Sequence, residues 1–253
     1  MQSKKVIKTL VSTGSFQDFI ENIFYIRERQ GTGYVCFANV HMVVEAYKDQ
    51  KFNQVVNNAD LVTPDGRPLS IFMKLFYGIR QERVPGMDLL PVLLKEAEQR
   101  NKSVYFYGST DEVLKLIGER IQKELPNLKL AGTYSPPFRT LTIQEQQKVV
   151  DTINNSGADL VFVALGCPKQ ENWMAEHKGK INAVMLGVGQ AFMTYSGLEK
   201  RLPKWMRDLS LEWTYRLFLE PKRLWKRYLV TNSLFLMLIS KFYLTRLIGR
   251  FKF

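Results

Sequence analysis

Leu160-Val161-Phe162-Val163-Ala164-Leu165, followed directly by Gly166-Cys167-Pro168-Lys169-Gln170-Glu171, indicates the fold class of this chain. Six consecutive apolar residues that end at a glycine fit a strand covered on both faces, as in a parallel sheet. The turn after them carries polar side chains and leads into a helix-like segment. A strand, a polar turn and a helix in this order are typical of one unit of an α/β fold.

The same alternation of strand-like and helix-like segments runs through the first 195 residues. Short apolar or β-branched runs predict five more strands, at Tyr34 to Ala38, Asp60 to Thr63, Ser103 to Tyr107, Leu128 to Thr133 and Ala183 to Val188. Helical spacing predicts helices from the N-cap Ser15 to near Gly31, from Asp88 to Arg100 and from Asp111 to Leu125. We expect residues 1–197 to form a Rossmann-like, mostly parallel sheet with helices on both faces.

The C-terminal part of the chain, residues 198–253, has a different character. It shows no strand pattern and predicts two or three helices, one of which begins at Pro221. From Lys200 onward there are 13 Lys and Arg against three Asp and Glu, which accounts for most of the net charge of +12. The sequence therefore predicts a nearly neutral body with a basic helical appendage. Such an appendage is typical of proteins that bind an anionic partner: phosphate, an acidic membrane surface or nucleic acid.

The last predicted helix has an apolar face. From Tyr228 onward, one side of the helix can carry Val230, Leu234, Met237, Leu238, Phe242 and Ile248. An apolar face with basic neighbours suits a helix that lies in a membrane interface. The alternative is a helix that packs on the body or on another subunit. The adjoining charge favours the first interpretation, so we predict a membrane-docking appendage.

Composition narrows the cellular context. The two cysteines, Cys36 and Cys167, lie far apart in the sequence, and there are only two histidines, His41 and His177. Neither a metal centre nor a disulfide framework is predicted, and no cofactor is expected. No segment resembles a signal peptide or reaches the roughly 18 to 20 apolar residues of a spanning helix. We therefore predict a cytoplasmic protein that is peripheral on the inner face of the cell membrane.

Candidate functional residues follow the predicted strands, where open α/β sheets bind their ligands. Asn39, Asp65, Gly108 and Gln170-Glu171 all occupy such positions. Asp65 lies in Pro64-Asp65-Gly66, and the pattern alone favours a simple turn over a general base. Gly108-Ser109-Thr110 either binds phosphate through backbone N–H groups or ends in an ordinary helix cap, and the pattern favours the cap.

A glycine-rich segment near residue 190 suggests a second kind of ligand. Gly187-Val188-Gly189-Gln190-Ala191-Phe192 nearly matches the GxGxxG dinucleotide fingerprint, but Phe192 replaces the third glycine. It also comes too late in the chain to open a complete dinucleotide-binding unit. We interpret Gly187, Gly189 and Gln190 as a loop whose backbone approaches a ligand. An NAD-dependent oxidoreductase is the weaker alternative.

Basic residues in the appendage offer a way to bind diphosphate. The chain contains no Asp-x-Asp pair, so the charge of a departing diphosphate would have to be stabilised by cations of the protein. The spacing of Arg216, Arg223, Lys226 and Arg227 can bring these residues together on successive helical turns. The arginine fork suits phosphate oxygens. The alternative is a solvated basic face.

Together these residues resemble the WecG/TagA/CpsF family, the N-acetylmannosaminyltransferase-type enzymes of bacterial cell-surface polymer synthesis. The resemblance runs from about Val35 to Leu229 and rests on the order and spacing of several motifs. They are Asn39 with the helix after it, Ala59 to Gly66, Arg83 to Asp88, Gly166 to Glu171, Gly187 to Phe192, Leu211 to Trp213, Tyr215 to Leu217 and Glu220 to Tyr228.

The resemblance implies an inverting transfer of an N-acetylhexosamine-type sugar from a UDP donor to a polyprenyl-diphosphate-linked sugar, without a required metal. Asp65 matches the proposed general base. Pocket positions of the family match Asn39, Arg83 and Gln170. Diphosphate-binding arginines match Arg216 and Arg223, with Arg227 or Lys226 as a third. Phe37 and Met193 depart from the family pattern, which often has threonine and aspartate there.

The predicted partners are a UDP-sugar, a polyprenyl-diphosphate-linked acceptor such as the GlcNAc-linked lipid, and an anionic membrane surface. No nucleic acid is predicted, and a homo-oligomer is left open. Besides the oxidoreductase, a non-catalytic adaptor for membranes or nucleic acid is an alternative. It is suggested by Trp213 and Trp225 among the arginines, although no known nucleic-acid motif is present.

Overall fold

Strands and helices alternate along the chain in the computed structural model. It describes residues 1–203, 206, 212–219 and 221–250, without the side chains of residues 212, 213, 216, 219, 222–224, 226–228 and 246–250. In chain order the elements are β1 Gln2–Val6, β2 Thr9–Thr13, α1 Phe16–Gln30, β3 Gly33–Ala38, α2 Val40–Lys48, α3 Gln50–Asn57, β4 Leu61–Pro64, α4 Arg67–Tyr77, α5 Gly86–Gln99, β5 Ser103–Gly108, α6 Asp111–Glu124, β6 Lys129–Tyr134, α7 Ile143–Asn155, β7 Leu160–Ala164, α8 Lys169–His177, β8 Val184–Leu186, α9 Ala191–Ser196, α10 Glu212–Leu219 and α11 Pro221–Arg250.

Six strands form one sheet in the order β4-β3-β8-β7-β5-β6, and every neighbouring pair is parallel. The predicted α/β class and all six predicted strands are confirmed. Strand boundaries differ from the prediction by one or two residues. The largest difference is at β8, which ends at Leu186 because the N–H of Gly187 donates across to the carbonyl of Val35 and the chain then turns away.

Helices cover both faces of the sheet, as predicted. Successive residues of β3 enter opposite cores: Tyr34, Cys36 and Ala38 belong to one apolar cluster, and Val35 and Phe37 belong to the other. All six residues of this strand are buried. This two-sided burial explains why the central strands are continuous apolar runs rather than alternating ones.

An N-terminal hairpin, which the sequence did not predict, covers the β4 edge of the sheet. β1 and β2 pair antiparallel, and the Ser12 hydroxyl accepts a hydrogen bond of 3.1 Å from the backbone N–H of Val62 in β4. β1 is lysine-rich and mostly exposed, so its sequence carries little strand signal. Its position shields a sheet edge that would otherwise present open hydrogen-bonding groups.

The long helix α11 begins at Pro221, as predicted, and packs on the body. Thr231, Phe235 and Leu238 are buried on one side of the helix, which contacts α2. Further along this side, the ring of Phe242 lies 5.2 Å from Phe72 and 5.1 Å from Phe76 on α4. The alternative of a helix packed on the body therefore holds for this face.

The residues of the predicted apolar face of α11 have different environments in the structure. Leu238 and Phe242 do pack, but Val230 and Met237 are exposed, because the buried seam runs through Thr231 and Phe235 instead. Among the described residues, no helix is long and apolar enough to cross a membrane. The division of the chain at residue 197 and the docking of the appendage on a membrane stay predictions.

Candidate active site

Asp65 lies in a bend at the carboxyl end of β4, beside Asn39 at the end of β3. The two strands are paired, and the backbone N–H of Asp65 donates to the carbonyl of Ala38 over 2.9 Å. Asn39 caps α2 by accepting a hydrogen bond from the N–H of Met42 over 3.1 Å. Its amide nitrogen lies 3.5 Å from Oδ2 of Asp65. The Asp65 carboxylate is thereby oriented by a neighbour that is itself fixed, so the bend can serve both as a turn and as the seat of a base.

The segment that contains Arg83 is fastened beside this bend. The N–H of Val84 donates to the carbonyl of Pro64 over 2.9 Å, and the Thr63 hydroxyl donates to the carbonyl of Val84 over 3.0 Å. These bonds extend the edge of the sheet past β4. The structure therefore brings the backbone of Arg83 next to the bend that carries Asp65. The role of Arg83 in the pocket stays a prediction.

Gln170, at the start of α8, ties two strand-end loops together. Its amide nitrogen donates to the carbonyl of Gly187 over 2.6 Å, and its amide oxygen accepts from the N–H of Gly166 over 3.2 Å. A Cβ added at Gly187 would lie 3.0 Å from the Gln170 amide nitrogen, so the approach is close. The loops after β7 and β8 consequently form one unit.

Glu171 is fully buried beside Gln170 and supports it. Its Oε1 accepts a hydrogen bond of 2.8 Å from the Gln170 amide, while no described residue forms a hydrogen bond with Oε2. Burial raises the pKa of the Glu171 carboxyl to about 7, against the opposing effect of hydrogen bonds from the Gln170 amide, the backbone and the Cys167 side chain. The sequence predicted Glu171 as a ligand-binding residue. In the fold its carboxyl is buried and contacts the side chain of Gln170.

Glu171→Gln should weaken the dependence of stability on pH. The folded state binds the proton of Glu171 more tightly than the unfolded state, because the pKa lies above its ordinary value of 4.5. The resulting stabilisation is complete below about pH 4.5 and is lost as pH rises through about 7, a change of about 3 kcal/mol. Glutamine cannot ionise. Melting temperatures from about pH 5 to about pH 8 should therefore fall less in the variant.

The matched control for this prediction is Glu176→Gln, which removes an exposed carboxyl from the same helix. It should keep the pH dependence of the wild type. Parallel melting curves for the wild type and Glu171→Gln across this range would contradict the burial argument.

The loop after β5 confirms the cap interpretation of Gly108-Ser109-Thr110. The Thr110 hydroxyl accepts a hydrogen bond of 3.4 Å from the N–H of Val113 at the start of α6. Gly108 has φ +110°, and an added Cβ would lie 2.4 Å from the carbonyl oxygen of Ala164. Two acidic residues occupy the first turn of α6, which opposes phosphate binding there. A ligand contact by Gly108 stays a prediction.

The loop after β8 passes close to two neighbouring strands. The N–H of Gly189, at φ +51°, donates to the carbonyl of Val163 in β7 over 3.1 Å. Phe192 is fully buried, with its ring 5.2 Å from that of Phe106. A core position thus explains why a phenylalanine replaces the third glycine of the fingerprint. The Gln190 amide donates to Glu199 over 2.8 Å.

These groups form a row along the carboxyl edge of the sheet. Five strands that are consecutive in the sheet each contribute one group at this edge. In the order β4, β3, β8, β7 and β5, the groups are Asp65, Asn39, Gly187, Gln170 and Gly108. Neighbouring strands are ~4.8 Å apart, so the row spans roughly 20 Å. It offers an oriented carboxylate at one end, amides in the middle and backbone loops beyond, which suits an extended polar ligand.

The similarity of this chain to known proteins indicates which reaction these residues serve. Residues 4–248 match the model of the glycosyl transferase WecG/TagA/CpsF family. The chain belongs to this family. It is therefore a glycosyltransferase, and the oxidoreductase and adaptor alternatives are wrong.

Three relatives of the WecG/TagA/CpsF family carry the same name, N-acetylglucosaminyldiphosphoundecaprenol N-acetyl-beta-D-mannosaminyltransferase. The protein of Bacillus subtilis strain 168 is 35% identical over 85% of this chain and 81% of its own length. That of Bacillus spizizenii is 33% identical over 90% and 88%, and that of Staphylococcus aureus NCTC 8325 is 30% identical over 81% and 80%.

Two departures from the family pattern are explained by packing. Phe37 is buried, and its ring lies 3.5 Å from the position of a Cβ added at Gly86, where α5 begins. Met193 packs against the same core cluster. Apolar contact has therefore replaced the polar groups that resemblance to the family leads one to expect at these two positions.

The candidate arginines of the WecG/TagA/CpsF pattern lie outside the described side chains. The backbone places Arg216 in α10 and both Arg223 and Arg227 in the first two turns of α11. Their role stays a prediction. Arg201, which the sequence analysis missed, lies before them and binds the carbonyl of Met87 and the carboxylate of Asp88 at the start of α5. No group of three His, Cys, Asp or Glu that could hold a metal ion occurs among the described residues.

Proposed function

We propose that this chain transfers N-acetylmannosamine, or a closely related N-acetylhexosamine, from UDP to GlcNAc on a polyprenyl diphosphate. The proposal rests on the names of the relatives and on one geometric observation. The Asp65 carboxylate is oriented by Asn39 at the carboxyl edge of the sheet, where α/β enzymes bind their ligands. The product would be a lipid-linked disaccharide for cell-surface polymer synthesis.

Asp65 acts as the general base in this proposal. A hydroxyl oxygen of the acceptor GlcNAc attacks the anomeric carbon of the donor sugar, and the hydroxyl proton passes to the Asp65 carboxylate. The new bond forms on the face opposite the breaking bond to the UDP oxygen, so the configuration inverts. UDP leaves with the bonding electron pair, and Asp65 later releases its proton to water. A positioned base contributes roughly 10²- to 10⁴-fold to such a step.

The UDP leaving group carries charge that the protein must stabilise. We assign this role to Arg216, Arg223 and Arg227, because their guanidinium groups fit diphosphate oxygens and the appendage is rich in cations. Asn39, Arg83 and Gln170, with the loops at Gly108 and from Gly187 to Gln190, would line the pocket for the donor and acceptor sugars. Glu171 would hold Gln170 in place.

The acceptor determines where the reaction takes place. Its polyprenyl chain stays in the bilayer, so the pocket must approach the membrane surface. A basic segment gains roughly 1 kcal/mol per Lys or Arg near an anionic bilayer, and exposed apolar side chains add to this. We therefore propose that the chain acts as a peripheral protein on the cytoplasmic face of the membrane.

A panel of UDP-sugars, each tested with a short-chain prenyl-diphosphate-GlcNAc acceptor, checks this proposal. Transfer should occur with UDP-N-acetylmannosamine or a close N-acetylhexosamine analogue, and should continue in the presence of EDTA. The linkage in the product should show inversion at the anomeric carbon. Transfer that stops when EDTA is added would contradict the assignment of leaving-group stabilisation to arginines.

A further inference from the structure

Helix α4 exposes two large apolar side chains although it follows the catalytic bend directly. Ile71 is 56% exposed and Leu75 is 65% exposed, four residues apart on one face of the helix. The helix begins at Arg67, two residues after Asp65. The helix is buried through Leu69, Phe72, Met73 and Phe76, and Phe72 and Phe76 border the exposed pair. The exposed pair is therefore not a consequence of loose packing.

The exposed face of α4 adjoins an exposed apolar face of α11. The ring of Tyr243 lies 6.2 Å from that of Phe76, so Tyr243 is on the side of α11 that faces α4. Leu236, two turns earlier, is on the same side and is 64% exposed. Leu75 lies one turn from Phe72, which contacts Phe242 of α11. The two helices meet at the rings of Phe76 and Phe242 and expose apolar side chains on either side of this crossing. We call this region the α4–α11 surface, defined by Ile71, Leu75, Leu236 and Tyr243.

The two helices that form the α4–α11 surface carry charge of a single sign. Residues 66–81 contain three Lys or Arg and no acidic residue, and residues 221–250 contain seven and none. Lys74 and Lys241 are exposed among the apolar side chains. Elsewhere in the first 199 residues acidic and basic residues are nearly balanced. Exposed apolar side chains on two helices whose charged residues are all cationic fit an anionic lipid interface better than a protein surface.

We propose that α4 is a second membrane-contacting element, and that Ile71 and Leu75 enter the interface of an anionic bilayer beside α11. The proposal rests on the proposed function, which it deepens by specifying how the body faces the membrane. A helix rises 1.5 Å per residue, so Ile71 lies within roughly 10 Å of Asp65 along the axis of α4. Insertion of Ile71 and Leu75 would hold the bend that carries Asp65 close to the membrane surface, where the diphosphate of a lipid-linked acceptor lies.

Flotation of the full-length chain with vesicles tests the proposal. The vesicles contain phosphatidylcholine with or without phosphatidylglycerol, and no UDP-sugar is needed. Ile71→Ser/Leu75→Ser should weaken binding to the anionic vesicles by roughly tenfold. Tyr25→Ser/Ile143→Ser, which removes two exposed apolar side chains from α1 and α7, is the matched control and should bind as the wild type does.

A charge reversal keeps the test decisive if the double variant does not fold. Lys74→Glu places a carboxylate on the exposed face of α4 and should weaken binding to anionic vesicles several-fold at low salt, with a smaller effect at high salt. Wild-type binding by both α4 variants would overturn the proposal. So would a dimer of the wild type that the double variant abolishes while its vesicle binding is unchanged, because the surface would then be an interface between two copies.

Transfer to the short-chain acceptor in solution separates this inference from the proposed function. The α4 double variant should transfer sugar at the wild-type rate there, because Ile71 and Leu75 are not part of the pocket. A wild type that binds vesicles through α4 but transfers no sugar would overturn the function and leave the surface intact.

Discussion

Asp65→Asn should lower kcat by roughly 10²- to 10⁴-fold, because the amide keeps the shape of the side chain but cannot accept the proton of the acceptor hydroxyl. The fold should tolerate the change. The backbone N–H of Asp65 still donates to the carbonyl of Ala38, and the Asn39 amide can donate to the new side-chain oxygen. We expect a melting temperature within about 2 °C of the wild type. Steady-state kinetics with the short-chain acceptor and a thermal melt measure both quantities.

The same strand offers a matched control for this variant. Asp60 lies just before β4, at the opposite end of the strand from Asp65, and accepts hydrogen bonds from the N–H of Tyr34 and from Lys178. Asp60→Asn removes one carboxylate charge, weakens that ion pair and should leave kcat nearly unchanged. Equal activity of the two variants would remove Asp65 from the mechanism.

Removal of residues 198–253 should abolish transfer. The deletion takes away the candidate diphosphate-binding arginines and most of the net positive charge at once. It should also destabilise the body, because Phe242 no longer covers Phe72 and Phe76. We expect the melting temperature to fall by roughly 5 to 10 °C with a transition that is still cooperative, since both core clusters are built mainly by residues before 198.

A full-length variant separates the loss of cations from the loss of packing. Arg216→Gln/Arg223→Gln/Arg227→Gln keeps Phe235, Leu238 and Phe242 in place, so its melting temperature should match the wild type. Its kcat should fall by at least roughly 10²-fold if these side chains stabilise the leaving group. Full activity in the truncated chain, or in the triple variant, would refute the role of the appendage in the chemistry.

The sequence predicted the sheet well because its strands are buried on both sides. Leu160–Ala164 and Gly33–Ala38 are uninterrupted runs of buried residues, too short for a typical helix and too apolar for a surface loop. The hairpin of β1 and β2 was missed, because its first strand is lysine-rich and mostly exposed. The seam of α11 that packs on the body could not be predicted, because apolar residues surround the helix and only its contact with α2 and α4 selects one face.

The sequence predicts the position of a candidate site residue only where that residue directly follows a recognisable strand. Asn39 and Asp65 follow strands that are themselves recognisable, so their proximity follows from parallel pairing. The arrangement of Gln170 over the Gly187 loop depends on the order β8-β7 in the sheet, which no local pattern encodes. The burial of Glu171 could not be foreseen either, because a glutamate at the start of a helix is usually solvated.

Arg201 fixes the segment that follows Gly197 to the body of the protein. Its guanidinium binds Met87 and Asp88 at the start of α5, next to the loop after β8, and α11 is held again where Phe242 meets α4. In the sequence, Arg216, Arg223 and Arg227 lie between these two attached segments. For the leaving-group role that we propose for these arginines, attachment of both flanking segments would raise their effective concentration near the sheet edge, because part of the entropy cost of bringing them there would be incurred on folding.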